Sequence, residues 1–167
     1  MKEKVSIIEA TGDMCREIAL VKRQVWESAY RGIYPDSKID SFDIDNEAEK
    51  FARLVFADDI KLYVAVVDGR IVGYMAYGKN PRHPEAEDNE LVLLSVIKEY
   101  QGNGIGKMMF GFGKDRLKKV CNSFLIYCNK YNLKAQGFYK AMGCEVLSVD
   151  DDNPDRSIPQ IKLQCRF

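Results

Sequence analysis

The chain has 167 residues, 46% of them hydrophobic and 30% charged. That length suits one domain over residues 1–167, able to bury about 70% of its unfolded surface, and the composition excludes a disordered or fibrous chain. Twenty-five basic residues balance 25 acidic ones, whereas a dedicated nucleic-acid binder would carry a basic excess, so no nucleic-acid partner is expected.

No apolar run approaches the ~18 residues that cross a bilayer, so no membrane partner is expected either. The N-terminal M-K-E-K-V-S-I-I-E-A has no long apolar stretch and does not read as a secretory signal. The five cysteines, Cys15, Cys121, Cys128, Cys144 and Cys165, are odd in number and scattered, without a C-x-x-C pair. This argues against a disulfide framework and a cysteine-rich zinc site. They read as small hydrophobes, and the expected compartment is the cytoplasm.

In chain order, Val5 to Ala10 reads as a strand. Asp13 can cap a helix in which Ile18, Val21, Val25 and Ala29 recur at helical spacing through Tyr30. Gly32 and Pro35 break it, and Asp45 to Ala57 forms a second helix. Ile60–Val67 and Ile71–Tyr77 are strands joined by the hairpin signal Asp68-Gly69. A turn or loop, N-P-R-H-P-E, carries His83, the sole histidine, which reads as a loop residue. Glu90 to Ile97 is a nearly continuous apolar run, as in a strand buried on both faces. A glycine-rich loop and a helix ending in R-L-K-K follow. Gly111 and Gly113 inside that helix cost about 1 kcal/mol each against alanine, and suggest only close packing. Phe124–Tyr127 is a strand, and Asn132–Met142 a helix closed by Gly143. Glu145–Val149 and Ile158–Phe167 are final strands around the acidic turn D-D-D-N-P-D. The order is β-α-α-β-β-β-α-β-α-β-β, a mixed α/β fold.

Gln101-Gly102-Asn103-Gly104-Ile105-Gly106 follows a buried strand and opens a helix. Such a junction offers unpaired N–H groups, the positive end of a helix dipole, and glycines that admit a phosphate; Lys107 adds a cation. Pyrophosphate binding is one reading and a tight turn without a ligand the other. Met108 after Lys107 breaks the P-loop pattern, and glycines at 102, 104 and 106 do not fit G-x-G-x-x-G.

Q-G-N-G-I-G does resemble the Q/R-x-x-G-x-G/A loop of the GNAT family of N-acetyltransferases. N-L-K-A-Q-G-F-Y-K-A-M-G-C, residues 132–144, is similar to the family's N-x-x-A-x-x-F-Y-x-x-x-G-F, with Cys144 for the usual phenylalanine. W-E-S-A-Y-R-G-I-Y-P, residues 26–35, is similar to the first helix and loop of many bacterial members. The resemblance implies one α/β domain, with a mixed sheet of about seven strands flanked by about four helices. A splayed strand pair would hold acetyl-coenzyme A as cosubstrate, without a metal. Family members are often dimers, so a homodimer is one implied state.

The resemblance also implies roles. Gln101, Gly102, Asn103, Gly104, Ile105, Gly106 and Lys107 would hold the pyrophosphate, and the backbone of Leu94 and Val96 the pantetheine arm. Asn132 would cap its helix, bind the coenzyme, or both. Tyr139 matches the tyrosine that protonates the leaving thiolate. Glu90 matches the base of histone-acetylating members, since a carboxylate at an apolar strand end can have a raised pKa. A solvated strand-end glutamate and a core tyrosine are the plain readings of these two. Trp26 with Tyr30 reads as core packing.

The zero net charge hides a split. Residues 98–119 hold six Lys/Arg against two acidic residues, and residues 36–59 eight Asp/Glu against three basic. Residues 85–90 and 145–155 add nine acidic residues and no Lys or Arg. In the family the first helix-loop and the loop between the last two strands flank the acceptor mouth, while the plain reading of these charges is ordinary solvated faces. A cationic small-molecule amine, such as a polyamine or aminoglycoside, is therefore the expected partner. Acetylation of a protein or peptide and a non-catalytic acyl-coenzyme A binding module are the alternatives.

Overall fold

Strand β1 (Val5–Glu9) leads into helix α1 (Cys15–Val25), the short α2 (Asp36–Asp40) and α3 (Ile44–Val55). Strands β2 (Ile60–Val67), β3 (Arg70–Gly78) and β4 (Glu90–Val96) precede α4 (Ile105–Leu117). Then come β5 (Ser123–Asn129), α5 (Leu133–Ala141), β6 (Glu145–Asp150) and β7 (Gln160–Arg166). The structure is a computed structural model in which residues 4–80, 88–150 and 159–167 are described. His83 and most of the acidic turn after β6 lie outside them, as do Ile158 and residues 85–87.

The strands form one sheet in the order β1-β2-β3-β4-β5-β7-β6. Every pair is antiparallel except β4 with β5. Helices cover both faces. Phe51 of α3 meets Tyr74 of β3 on one face, with ring centroids 5.2 Å apart. Phe110 of α4 meets Phe124 of β5 on the other at 6.1 Å. Close approach of α4 explains Gly113, where an added Cβ would lie 3.0 Å from the Met75 sulfur. Nothing lies near Gly111, and the structure gives no reason for that glycine.

The mixed seven-stranded sheet matches the expectation. Five α-helices are described instead of about four, because Asp36–Asp40 makes a turn of helix after Pro35. Asp13 is not the cap of α1: it sits inside a 3₁₀ turn, and its carboxylate accepts from the Thr11 hydroxyl. The second helix starts earlier than expected, capped by Asp43, whose side chain accepts from the Asn46 N–H at 3.0 Å. Strand β4 is not buried on both faces along its length, since Val92 to Ser95 are only half-buried.

The five cysteines are not all separate small hydrophobes. Cys144 and Cys165 form a disulfide across the start of β6 and the end of β7, with Cα atoms 4.4 Å apart. Spacing along the chain could not show this, because the register of β7 against β5 and β6 creates the proximity. Cys15, Cys121 and Cys128 are free thiols.

Closing a loop with a sequence separation of 21 stabilises the fold by about 3 kcal/mol in the chain-entropy account. Urea denaturation with and without a dithiol reductant should show a loss of about that size.

Candidate active site

Parallel β4 and β5 are joined at one register position, Glu90 with Leu125, supported by the Leu125 N–H donating to the Asn89 carbonyl at 2.9 Å. Beyond it the strands part. This leaves the middle of β4 half-buried and its backbone edge open. Ile97 donates to the Val72 carbonyl at 2.9 Å, so it turns toward β3. By alternation, Val96 and Leu94 turn their backbone groups toward the gap. The Val96 carbonyl already accepts from Gln101 Nε2 at 2.8 Å.

The glycine loop stands at the mouth of this gap. Gly102 and Gly104 have φ of 79° and 85°, a region that favours glycine. Gly102, Asn103 and Gly104 are exposed, as is Lys107, while Ile105 is buried as the anchor of α4. Gly104 caps α4 with no side chain, so the first-turn N–H groups face outward. Phe138 of α5 lies 3.5 Å from where a Cβ on Gly106 would stand. Lys134 Nζ bonds to Gln101 Oε1 and brings a second cation to the loop. The sequence reading missed Lys134; its place in the first turn of α5, two residues after Asn132, was the available signal.

Helix α5 brings Asn132 and Tyr139 to the gap. Asn132 caps it, accepting from the Ala135 N–H at 3.1 Å. Tyr139 is buried against Phe110 and Phe138. Burial pushes its phenol far up, and Cys128 and Tyr30 add to the shift. The group therefore keeps its proton across the working pH range, as a proton donor must. Burial also pushes the Cys128 thiol up to about 11.

Tyr30 arrives from the other side of the sheet. Helix α1 runs on into a π-helical turn, Trp26–Tyr30, which re-aims its last residues. Tyr30 stacks on Tyr34 at 4.4 Å, with Trp26 edge-on to both. Burial raises its phenol, partly offset by the Asn132 side chain beside it. Trp26 thus serves packing, as expected, but Tyr30 also reaches the site. An i, i+4 reading on a regular helix could not show that.

Glu90 is 1% exposed, not solvated, and accepts from Asn80 Nδ2 at 2.6 Å. It lies level with Leu125, whereas Cys128, beside Tyr139, is three residues further along β5, about 10 Å. The structure does not bring Glu90 and Tyr139 into contact.

The acidic stretch after Pro35 is largely engaged. Arg31 gathers Glu27, Asp36 and Asp40 at 2.7, 3.1 and 2.9 Å, and Arg16 pairs with Asp45. Buried Glu47 accepts from Lys22 at 2.5 Å and Lys50 at 2.7 Å. Desolvation would raise its pKa, but the two lysines outweigh it and the net shift is downward. An open groove of about 520 Å³ lies between Lys98–Glu99 and the outer face of α1 and its π-helical turn, from Leu20 to Ser28. Among the described residues no group of His, Cys, Asp and Glu could hold a metal.

Because the folded pKa of Glu47 is depressed, its stabilisation is complete above the unfolded carboxylate pKa. It is lost as pH falls through the folded value. Glu47→Gln should lower stability at pH 7 and flatten the acid limb below about pH 4.5, seen in urea titrations against pH. If residues 101–107 hold the pyrophosphate, as the resemblance implies, Gly104→Val, strained at φ 85°, should weaken acetyl-coenzyme A by about tenfold in calorimetric titration.

Residues 23–144 match the model of the acetyltransferase (GNAT) family. Among solved structures, the PaiA N-acetyltransferase of Thermoplasma acidophilum in complex with coenzyme A has a TM-score of 0.79 at 22% identity. That match covers 98% of this chain and 99% of the other. Ribosomal-protein-alanine N-acetyltransferase from Brucella melitensis has a TM-score of 0.73 at 17% identity, covering 97% and 99%. An acetyltransferase from Thermus thermophilus has a TM-score of 0.68 at 16% identity, covering 99% of each. A search of curated proteins finds no match. With the family model spanning most of the chain, and the glycine loop and parted strands in place, the chain belongs to the GNAT family of acetyl-coenzyme A-dependent N-acetyltransferases.

Proposed function

We propose that the chain moves the acetyl group of acetyl-coenzyme A to a primary amine of a small cationic acceptor, by direct attack in a ternary complex. The observation that carries the reading is the parting of β4 and β5 beyond Glu90–Leu125, with the glycine loop at one end and Tyr139 inside. The whole chain acts as one transferase domain. Residues 101–107 take the pyrophosphate, with Lys134 beside them. The outward backbone of Leu94 and Val96 takes the pantetheine, through groups other than the Val96 carbonyl. Asn132 steadies the thioester end.

The ammonium gives a proton to water and, through it, to Glu90; the distance of about 10 Å along β5 favours a water chain over direct contact. The amine nitrogen attacks the thioester carbonyl, and the C–S bond breaks as the C–N bond forms. The thiolate takes its proton from the Tyr139 phenol, and the second proton that the nitrogen sheds on becoming an amide passes through water to restore that phenol. No covalent enzyme intermediate forms.

Three carboxylates surround one guanidinium at Arg31. Even with Lys38 counted, the loop beside Tyr30 is net negative, which supports a cationic acceptor. The reaction is assigned to the cytoplasm. The disulfide is compatible with that assignment because Cys144 and Cys165 are 4% and 2% exposed, out of easy reach of small thiols. One structural neighbour is named for acetylating ribosomal-protein alanine, so peptides belong in any acceptor panel.

Incubation with acetyl-coenzyme A and a panel of polyamines, aminoglycosides, amino acids and basic peptides, read by mass spectrometry, tests this. An acetylated small cationic amine is expected. Tight coenzyme binding without any acetylated product would favour a binding module instead. Tyr139→Phe should cut kcat by about 100-fold and leave acetyl-coenzyme A affinity within about threefold. The raised phenol predicts no loss of rate from Tyr139 ionisation up to about pH 10.

A further inference from the structure

The buried end of β5 carries a polar group that the steps above do not use. Asn129 is 4% exposed. Its Oδ1 accepts from the Tyr131 N–H at 2.8 Å, which fixes which end of the amide is oxygen. Among the described residues, Nδ2 has no hydrogen-bond partner. A buried donor left without a partner is costly, and native folds keep few of them.

Its position is set by the sheet. Strand β5 pairs with β7 without a break from Ser123 to Asn129, so side chains alternate strictly along it. Phe124 and Cys128 face α4 and α5, toward Phe110 and Tyr139. Asn129 therefore faces the opposite side, that of α1 and α3, with Leu125 and Tyr127. The glycine loop, Asn132 and Tyr139 place the coenzyme on the α4 and α5 side. Asn129 thus stands level with Tyr139, at the C-terminal end of a parallel strand, on the side left for the amine.

We propose that Asn129 Nδ2 sets acceptor specificity by donating to an oxygen that the acceptor carries near its reactive amine. This rests on the reading of the chain as an amine acetyltransferase, and narrows it to amino sugars or peptide-like amines over bare polyamines. An N–H donor cannot bond to an ammonium, which itself only donates. A hydroxyl, ether or carbonyl oxygen satisfies it. A bare polyamine leaves it orphaned and sets a cation against the positive end of its dipole. One such bond discriminates by about tenfold.

The test is competition. The protein is incubated with acetyl-coenzyme A and equimolar spermidine, kanamycin and a short alanyl peptide, and products are counted by mass spectrometry. Kanamycin or the peptide should be acetylated about tenfold faster than spermidine. Asn129→Asp keeps the oxygen that takes the Tyr131 N–H and replaces the donor with a second oxygen. It should shift preference toward spermidine by about tenfold, with acetyl-coenzyme A affinity held within about twofold by calorimetry. Asn129→Ser, neutral and smaller, should abolish the preference and serves if the aspartate variant does not fold. Three results would each overturn this inference alone: a wild-type preference for spermidine, a preference that neither variant changes, or a tenfold loss of acetyl-coenzyme A affinity in the variants. If the wild type acetylates no amine at all, the transferase reading falls with it.

Discussion

Everything in the site depends on hydrogen bonds that β4 and β5 do not make. A parallel pair normally continues its ladder, because an unpaired backbone edge in a sheet interior is costly. Here the ladder stops at Glu90 and Leu125. The outward groups of β4 then need a partner, which in the proposed function is an extended ligand arm with amide groups of its own. Past that point Cys128 and Asn129 lie on opposite sides of β5. The glycine loop lies where the open strand ends, so its free N–H groups and the unpaired edge of β4 adjoin one another.

The helical layer before the sheet adds rigidity where a mobile loop would be expected. The π-helical turn carries Tyr30 toward the gap. The Tyr30 carbonyl accepts from both Ile33 and Tyr34, at 2.9 Å each, closing the turn behind it. Arg31 then ties Glu27 of the π-helical turn to Asp36 and Asp40 of α2. Single exposed ion pairs contribute little, but three carboxylates on one planar guanidinium restrict its geometry. The loop after the π-helical turn is therefore held in shape by its own contacts.

Much of this was legible in the residues. The glycine loop, the N-L-K-A-Q-G-F-Y segment and the apolar run before them were enough to point to the family and its fold, because these motifs keep particular residues at fixed spacing. The acceptor half was not legible. Tyr30 on a regular helix reads as packing, and only the π turn turns it toward the gap. Asn129 looks like one more polar residue at a strand end until burial and a single partner are known. The acidic stretch from 36 to 59 suggested open negative charge, and the structure spends several of those carboxylates on Arg16, Lys22, Arg31 and Lys50. Charge counts along a chain cannot show which charges cancel in space.

The disulfide has a consequence for the topology of the chain. The Cys144 N–H donates to the Tyr139 carbonyl at 3.0 Å, so the bridge is tied to the end of the helix that carries Tyr139. Residues 144–165 form a covalent ring that holds β6 and most of β7. A single protease cut between those cysteines would not release the C-terminal fragment. β7, which lies between β5 and β6, would stay tethered, and the nicked protein would run as one species on a denaturing gel until reduced.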